Sequence, residues 1–167
     1  WFVAPWHAQA VTFTALVGNG SPASGVVGEQ LSSDSTALEL TFSDGSRVTL
    51  EQATRARITA TTSKGADVLL EEGSLHAAID GSRADRRWNF RAGPYTVEVK
   101  GTEFDTSWDP TERALSVVMQ HGVVVVRGPG LAPRRLAAGE RLDVRASEAR
   151  SADATEREAA QASASVE

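Results

Sequence analysis

The sequence predicts an all-β fold built from short strands, and three observations support this prediction. Apolar residues occur in short runs that are β-branched or alternate with polar residues, as in half-buried strands. None of these runs has the i, i+3, i+4, i+7 spacing of a core helix. Turn residues recur about every ten residues, which is typical of all-β domains. The runs span residues 11–17, 38–42, 47–50, 95–99, 115–119 and 123–126.

The runs at 38–42 and 47–50 predict a hairpin with a defined loop. A three-residue loop ending at Gly45 sets Leu40 opposite Val48 and Leu38 opposite Leu50, so that both apolar sets face one side. A two-residue loop would turn the two sets to opposite faces, which a one-sided core forbids. We therefore expect a type I turn followed by a G1 bulge at Gly45.

A weak internal repeat predicts stacked, similar strand–turn units. Residues 70–75 and 119–124 align at a distance of 49 residues, each with an apolar residue three before a glycine and two after it. The repeat glycines, Gly73 and Gly122, are expected in equivalent turns, either as two-residue hairpin loops or as corners between solenoid walls. Residues 28–31 and 139–142 form a second, shorter repeat.

A slip in the apolar pattern predicts a bulge at Gly101. Tyr95, Val97 and Val99 are at odd-numbered positions and share one face of their strand, whereas Phe104 is at an even-numbered position. A bulge inserts the extra residue, and glycine tolerates the backbone conformation that such a bulge needs. We expect the side chain of Phe104 to be buried.

The composition divides the chain into a folded domain and two flanking segments. Residues 11–145 form the predicted all-β domain. Residues 1–10 hold two tryptophans in an apolar context, which predicts a juxtamembrane arm, with a plain first strand or a loose arm as the alternative. Residues 146–167 are rich in Ala, Glu and Ser without an apolar stripe, and they predict a polar tail or linker, flexible or partly helical.

Charge and cysteine content exclude several kinds of site. The chain has 167 residues, no cysteine and a net charge of −5, so a disulfide scaffold and a thiolate metal site are ruled out. The tail from Ala146 onward carries five acidic and two basic residues, which leaves a net charge of −2 for the rest. A nearly neutral domain lacks the basic surface that nucleic acid binding requires, so we expect no nucleic acid partner.

No motif in the sequence predicts catalysis, a cofactor or a metal. Residues 18–23 match a phosphate-binding glycine pattern, but Pro22 stands where the helix should begin, and a surface loop explains them better. His7, His76 and His121 fall on separate segments without ligand spacing. There is no G-x-S-x-G nucleophile elbow. We therefore expect a protein that is not an enzyme.

A group of arginines allows two interpretations. Arg83, Arg86, Arg87 and Arg91 could contact an anionic partner, or they could form a polar loop whose aliphatic stems cover apolar surface. The neighbouring aromatic residues are expected in the core or at its rim, because they lack the interleaving of a nucleic acid platform.

Five motifs in order resemble the FecR family over roughly residues 15 to 145. Residues 40–50 are similar to its "DGS" hairpin, 68–75 to its leucine–x–x–glycine step, and 95–105 to its valine–x–Gly-Thr-x-Phe motif. Residues 119–126 and 136–140 resemble its last two motifs. Thr106 departs from the valine usual in the family. The residues that carry the resemblance are Asp44, Gly45, Ser46, Gly73, Gly101, Thr102, Phe104, Gly122 and Gly139.

The resemblance implies a twisted, solenoid-like stack of short strands and hairpins, without cofactor or enzymatic activity. It also implies a location on the periplasmic side of the bacterial inner membrane, behind a single-pass anchor upstream of this segment. The function it implies is that of a sensor or anti-sigma regulator in cell-surface signalling, acting on a protein partner such as an outer-membrane transducer or a sigma-regulatory system. The alternative is an envelope scaffold or a glycan-binding domain.

Binding is expected at an exposed strand edge or an open sheet face instead of a deep pocket, because unpaired backbone groups accept an incoming strand. The edge near residues 136–144, with Leu136 and Leu142, is the first candidate. The chain's own strand near residues 11–17 could cap that edge. The second candidate is the arginine-bearing surface of Arg83, Arg86 and Arg87.

Overall fold

The computed structural model describes residues 9–146, which form fourteen strands and no helix, so none of these residues belongs to a helix that could cross a membrane. The juxtamembrane arm, apart from its last two residues, and the tail beyond Ala146 lie outside the described residues. The strands are β1 (Phe13–Val17), β2 (Ala23–Ser24), β3 (Gln30–Ser33), β4 (Leu38–Phe42), β5 (Arg47–Leu50), β6 (Thr54–Thr62), β7 (Gly65–Ala78), β8 (Trp88–Ala92), β9 (Tyr95–Val99), β10 (Glu103–Asp109), β11 (Ala114–His121), β12 (Val123–Gly128), β13 (Leu131–Ala137) and β14 (Arg141–Arg145).

The strands form two layers that share β7. Layer A runs β2-β1-β4-β5-β7-β10-β11-β14, and layer B runs β3-β6-β7-β8-β9-β12-β13. Residues 65–72 of β7 pair with β6, while residues 75–78 pair with β5 and β10. Every pairing is antiparallel except that of β7 with β8. The predicted all-β stack of short strands is confirmed.

A chain of aromatic rings fills the space between the layers. Phe13 contacts Phe42 within layer A, and Phe42 meets Trp88 of layer B edge-on, with ring centroids 4.7 Å apart. Trp88 stacks on Phe90, which meets Phe104 of layer A at 5.1 Å. These contacts alternate between the layers, so the inward faces of both layers form one core. The aromatic residues are core residues, as the sequence predicts.

The β4–β5 hairpin has the predicted register. Leu38 lies opposite Leu50 and Leu40 opposite Val48, and all four side chains are buried. The Gly45 amide donates to the Phe42 carbonyl, and the φ of Gly45 is 89°. The loop therefore has three residues and ends on a left-handed glycine, because this spacing keeps both apolar sets on the core side.

Gly73 and Gly122 mark two places where the chain passes from one layer to the other. Residues before Gly73 pair in layer B and those after it in layer A, whereas the chain crosses from A to B at Gly122. The hairpin-loop interpretation is wrong, since Leu70 pairs with Ala56 and Leu75 with Leu50 instead of with each other. The alternative of a corner between walls is confirmed.

The two corners have matching surroundings. Gly73 (φ 98°) packs against Thr54 and the carbonyl of the residue before it, and Gly122 (φ 80°) packs against Thr102 and the carbonyl of Gly101. A Cβ at either glycine would lie 2.8 Å from that carbonyl oxygen. The repeat in the sequence therefore encodes a repeated layer crossing.

The two segments of the shorter repeat, residues 28–31 and 139–142, also share a local geometry. The amide of Gly28 donates to the carbonyl of Ile58, and the amide of Gly139 donates to the carbonyl of Met119. Both glycines have a left-handed φ, and each precedes an edge strand, β3 or β14. The glycine in each segment of this repeat thus turns the chain onto the edge of a layer.

Gly101 does not lie at a bulge within a strand, which corrects the prediction. It lies between β9 of layer B and β10 of layer A, so the slip in apolar phase arises because the chain changes layer. The register shift of this region occurs in the β10–β11 pairing, between Glu103 and Phe104. Phe104 is fully buried, as predicted.

Candidate interaction surface

The DGS turn of the β4–β5 hairpin anchors the loop that follows β7. The Asp44 carboxylate accepts a hydrogen bond from the Ser46 amide at 2.9 Å. The Ser46 hydroxyl in turn accepts one from the Asp80 amide at 3.1 Å. These two bonds fix the start of the segment 79–87, which connects β7 to its parallel neighbour β8.

Arg86 fixes the other end of the same loop from the inside. Its guanidinium lies 3.4 Å from the Asp44 carboxylate, and the two side chains are only 7% and 3% exposed. Arg86 is therefore unable to contact a partner, which corrects its assignment to the partner surface. A charge with so little access to water needs an opposite charge, and Asp44 supplies it. Arg83 and Arg87 are exposed on the outside of the loop.

The Gly-Thr motif, Gly101 and Thr102, packs against the first residues of this loop. Thr102 accepts a hydrogen bond from the Ile79 amide through its carbonyl. Gly101 lies so close to Gly81 that a Cβ on it would come within 2.4 Å of the Gly81 Cα. The residues that carry the family resemblance thus shape turns, corners and the 79–87 loop, apart from Phe104, which lies in the core.

Strands β13 and β14 form one end of the two layers, and β2 and β3 form the other. β13 pairs only with β12, and β14 pairs only with β11. Leu136 and Leu142 point into the core and are buried, so the side chains proposed from the sequence as a contact surface are core residues. Side chains alternate between the two faces of a strand, and Leu136 and Leu142 lie on the faces that point inward. What an edge strand offers to a partner is its unpaired backbone groups. Strand β1 pairs with β2 and β4 and does not cap this end.

The two edges differ in how readily they accept another strand. Strand β13 contains Pro133, which has no amide hydrogen, and the exposed Arg134 and Arg135. A proline removes a backbone donor from an edge strand and opposes strand addition. Strand β14 has no proline, so it is the open edge of this end.

Two hydrogen bonds define which backbone groups of β14 face outward. The Glu140 carbonyl accepts from Met119, and the Ala146 amide donates to Arg113, so the even-numbered residues bond to β11. Alternation along an antiparallel strand then places the N–H and C=O groups of Arg141, Asp143 and Arg145 on the open side.

A groove of 1390 Å³ lies at this same end. Its apolar lining includes Tyr95, Trp108, Leu131 and Val144, which come from both layers. The groove runs beside the β14 edge, since Asp143, Val144 and Arg145 belong to its wall.

The outer face of layer A holds a histidine–carboxylate cluster. Nδ1 of His76 lies 2.8 Å from the Asp105 carboxylate, and its Nε2 lies 3.3 Å from that of Glu103. His121 lies 3.1 Å from the other Glu103 oxygen. In the sequence these histidines lie on separate segments, although the repeat glycines near His76 and His121 allow them to approach in a stacked fold. Their proximity arises from the β7–β10–β11 pairing. Within residues 9–146, no set of three or more such groups is arranged to hold a metal ion.

Charged groups along β14 are coupled to each other. Hydrogen bonds from Arg141, and after it from Ser116, lower the pKa of Asp143 below its usual value of 3.8. The same Asp143 bond raises the pKa of Arg141. In the 79–87 loop, hydrogen bonds from the Ser82 side chain and amide lower the pKa of Asp80.

The fold and its surface define an all-β domain whose motif residues build the scaffold. The chain belongs to the FecR family: the family model described as FecR protein matches residues 30–125, more than half of the chain. No curated protein sequence matches the chain.

Two solved structures share the fold. Both are crystal structures, at 2.50 Å and 1.65 Å resolution, of a candidate anti-sigma factor from Parabacteroides distasonis ATCC 8503. Each is 22% identical to this chain, with a TM-score of 0.59 over 70% of it. The chain spans 59% of the length of these structures.

Proposed function

We propose that this chain is the periplasmic domain of a sensor or anti-sigma regulator, which acts by contact with another protein in cell-surface signalling. The observation that carries the proposal is the FecR family match over residues 30–125. The fold shared with a candidate anti-sigma factor supports it. The motif residues serve turns and corners, which agrees with a role in binding instead of catalysis.

The proposed location is the periplasmic side of the bacterial inner membrane, with a single-pass anchor upstream of Trp1. Two tryptophans within the first six residues agree with a membrane interface next to the domain. Fusion of alkaline phosphatase to the C-terminus of the full-length protein tests this location. Enzyme activity in intact cells is the expected result, while activity only of a cytoplasmic reporter at the same position would contradict it.

The proposed contact surface is the β14 edge, with the exposed arginines of the 79–87 loop as the competing surface. An outward row of backbone groups binds an extended segment of a partner, such as an outer-membrane transducer or a component of a sigma-regulatory system. Hydrogen exchange with and without the native partner separates the two surfaces. Protection of residues 141–145 supports the edge, whereas protection confined to Arg83 and Arg87 would assign the contact to the loop.

The regulatory role has its own test in the native cell. Removal of residues 11–145 from the full-length protein should change transcription from promoters of the partner sigma factor, because the signal no longer reaches it. Loss of envelope integrity or of glycan binding, with transcription unchanged, would favour the scaffold or glycan-binding alternative. Val17→Ala, at an exposed position of β1 that belongs to neither candidate surface, is the control for expression and folding.

A further inference from the structure

The charged side chains of β14 are arranged so that the strand complements itself. Its outer face carries Arg141, Asp143 and Arg145 in alternation, and its inner face carries Leu142, Val144 and then Ala146. An antiparallel copy centred on Val144 sets each Asp143 opposite Arg145 of the other copy. On the inner face it sets Val144 opposite Val144. Both faces of the new ladder are therefore matched, one by charge and one by apolar contact.

We propose that a second copy of this chain docks on the β14 edge in this register, which joins the two A layers into one continuous sheet. The inference goes beyond the proposed function, because it assigns the open edge of β14 to a second copy of this chain, with which a partner strand would compete. Pairing about a two-fold axis is isologous, so each Asp143–Arg145 contact occurs twice. The outward N–H and C=O groups of Asp143 and Arg145 pair with each other across the axis.

Other registers and edges fit less well. A register centred on Asp143 sets this carboxylate against its own copy and Arg141 against Arg145, which places like charges opposite each other. A register centred on Leu142 also sets Arg141 against Asp143, but it sets Arg145 against Gly139, whose left-handed φ of 83° ends the ladder, so Arg145 has no charged partner there. At the same end of the molecule, β13 is blocked by Pro133.

The ion pairs already present on β14 do not prevent this exchange. Arg141 bonds Asp143 at 2.7 Å, and Arg145 lies 3.2 Å from Glu112. All four side chains are more than half exposed. Exposed pairs of this kind are weak, so Asp143 can exchange Arg141 for Arg145 of the second copy.

Light scattering coupled to gel filtration tests the proposal on the full 167-residue chain. The wild type should elute at twice its mass of 17.7 kDa. Asp143→Lys makes the outer face wholly cationic, and the double variant Arg141→Asp/Arg145→Asp makes it wholly anionic. Each variant alone should weaken self-association by about tenfold or more, since like charges then face each other. An equimolar mixture should restore the dimer, because every opposed pair is again of opposite sign.

Glu39→Lys is the matched control, since it makes the same charge change as Asp143→Lys on an exposed position of the interior strand β4. It should leave the dimer intact. A monomeric wild type, or an unchanged dimer in Asp143→Lys, would overturn the proposal. If the chain is monomeric and a native partner still protects residues 141–145, the self-pairing fails while the proposed function stands. If the dimer forms and the partner protects only the 79–87 loop, the self-pairing stands and the proposed partner contact at the edge fails.

Discussion

Gly73 and Gly122 combine two requirements that only glycine meets. Each has a positive φ, and each lies where a Cβ would overlap the neighbouring segment it packs against. Gly139 has a similar φ of 83°, yet a Cβ there would meet nothing within 4 Å. The comparison separates the cost of the backbone conformation from the cost of the close contact.

We expect Gly139→Ala to lower the free energy of unfolding by about 1 kcal/mol, the cost of a left-handed alanine. Gly73→Ala adds an overlap with Thr54 and with the Ala53 carbonyl, and it should cost about 1–3 kcal/mol more. Urea unfolding monitored by tryptophan fluorescence measures both values. Equal losses in the two variants would show that the corner tolerates a side chain.

The second prediction at the scale of residues concerns the stability of variants of the Asp44–Arg86 pair. Arg86→Met leaves the buried Asp44 carboxylate without its opposite charge and should cost about 3 kcal/mol. The double variant Asp44→Asn/Arg86→Met should be more stable than Arg86→Met, because asparagine keeps the acceptor for the Ser46 amide and removes the buried charge.

The matched control for this pair is Arg83→Ala. Arg83 lies in the same loop with an exposed ion pair to Asp85, so its removal should change stability by less than about 0.5 kcal/mol. Chemical denaturation of the four proteins completes the comparison. A double variant that is less stable than Arg86→Met would contradict a buried ion pair as the reason for these two residues.

Strand β14 carries a carboxylate, Asp143, whose shifted pKa makes stability depend on pH. The folded pKa of Asp143 is lowered, so its contribution to stability is present above the unfolded value and is lost as pH falls through the folded value. The window lies in the acid range, around and below pH 3.8. The effect on stability is small, because both Asp143 and Arg141 are exposed to solvent.

Arg141→Gln should raise the pKa of Asp143 toward 3.8, since the first cause of the shift is the hydrogen bond from Arg141. The bond from Ser116 remains, so part of the shift should persist. Carboxyl chemical shifts measured by NMR across pH 2 to 6 follow this titration. An unchanged pKa in Arg141→Gln would assign the shift to Ser116 alone.

At the scale of elements, the sequence predicts what depends on alternation and turn chemistry. The β4–β5 register follows from the shared parity of Leu40 and Val48 with the glycine at 45. The layer crossings do not follow in the same way, because residues on both sides of Gly73 continue to alternate whether the chain turns back or passes to the other layer. Strand partners distant in sequence make that choice.

For the candidate surface as well, some features follow from the local sequence and others depend on tertiary pairing. Arg83 and Arg87 are exposed, but Arg86 between them is buried by Asp44, which lies 42 residues earlier in the chain. Leu136 and Leu142 are assigned to an edge from their position, and their burial follows once the strand's inward face is known. Local composition therefore locates the loop and the edge, while the side chains available to a partner depend on tertiary pairing.

At the scale of the whole molecule, β7 is the strand that belongs to both layers. Its fourteen residues pair in layer B before Gly73 and in layer A after it. Leu70 and Leu75 are buried on the two sides of the crossing. The core between the layers is continuous through Phe42, Trp88 and Phe104, so loss of packing in one layer exposes the other.

We expect Leu70→Ala and Leu75→Ala each to lower the free energy of unfolding by about 2–5 kcal/mol, the usual cost of a cavity in a packed core. Native-state hydrogen exchange should then show slow amides of both layers losing protection together in either variant, because global unfolding is their shared route to exchange. Val17→Ala, at a position 57% exposed, is the control and should leave protection unchanged. If Leu70→Ala lowered protection in layer B alone, the layers would unfold separately, and β7 would connect them without coupling their stability.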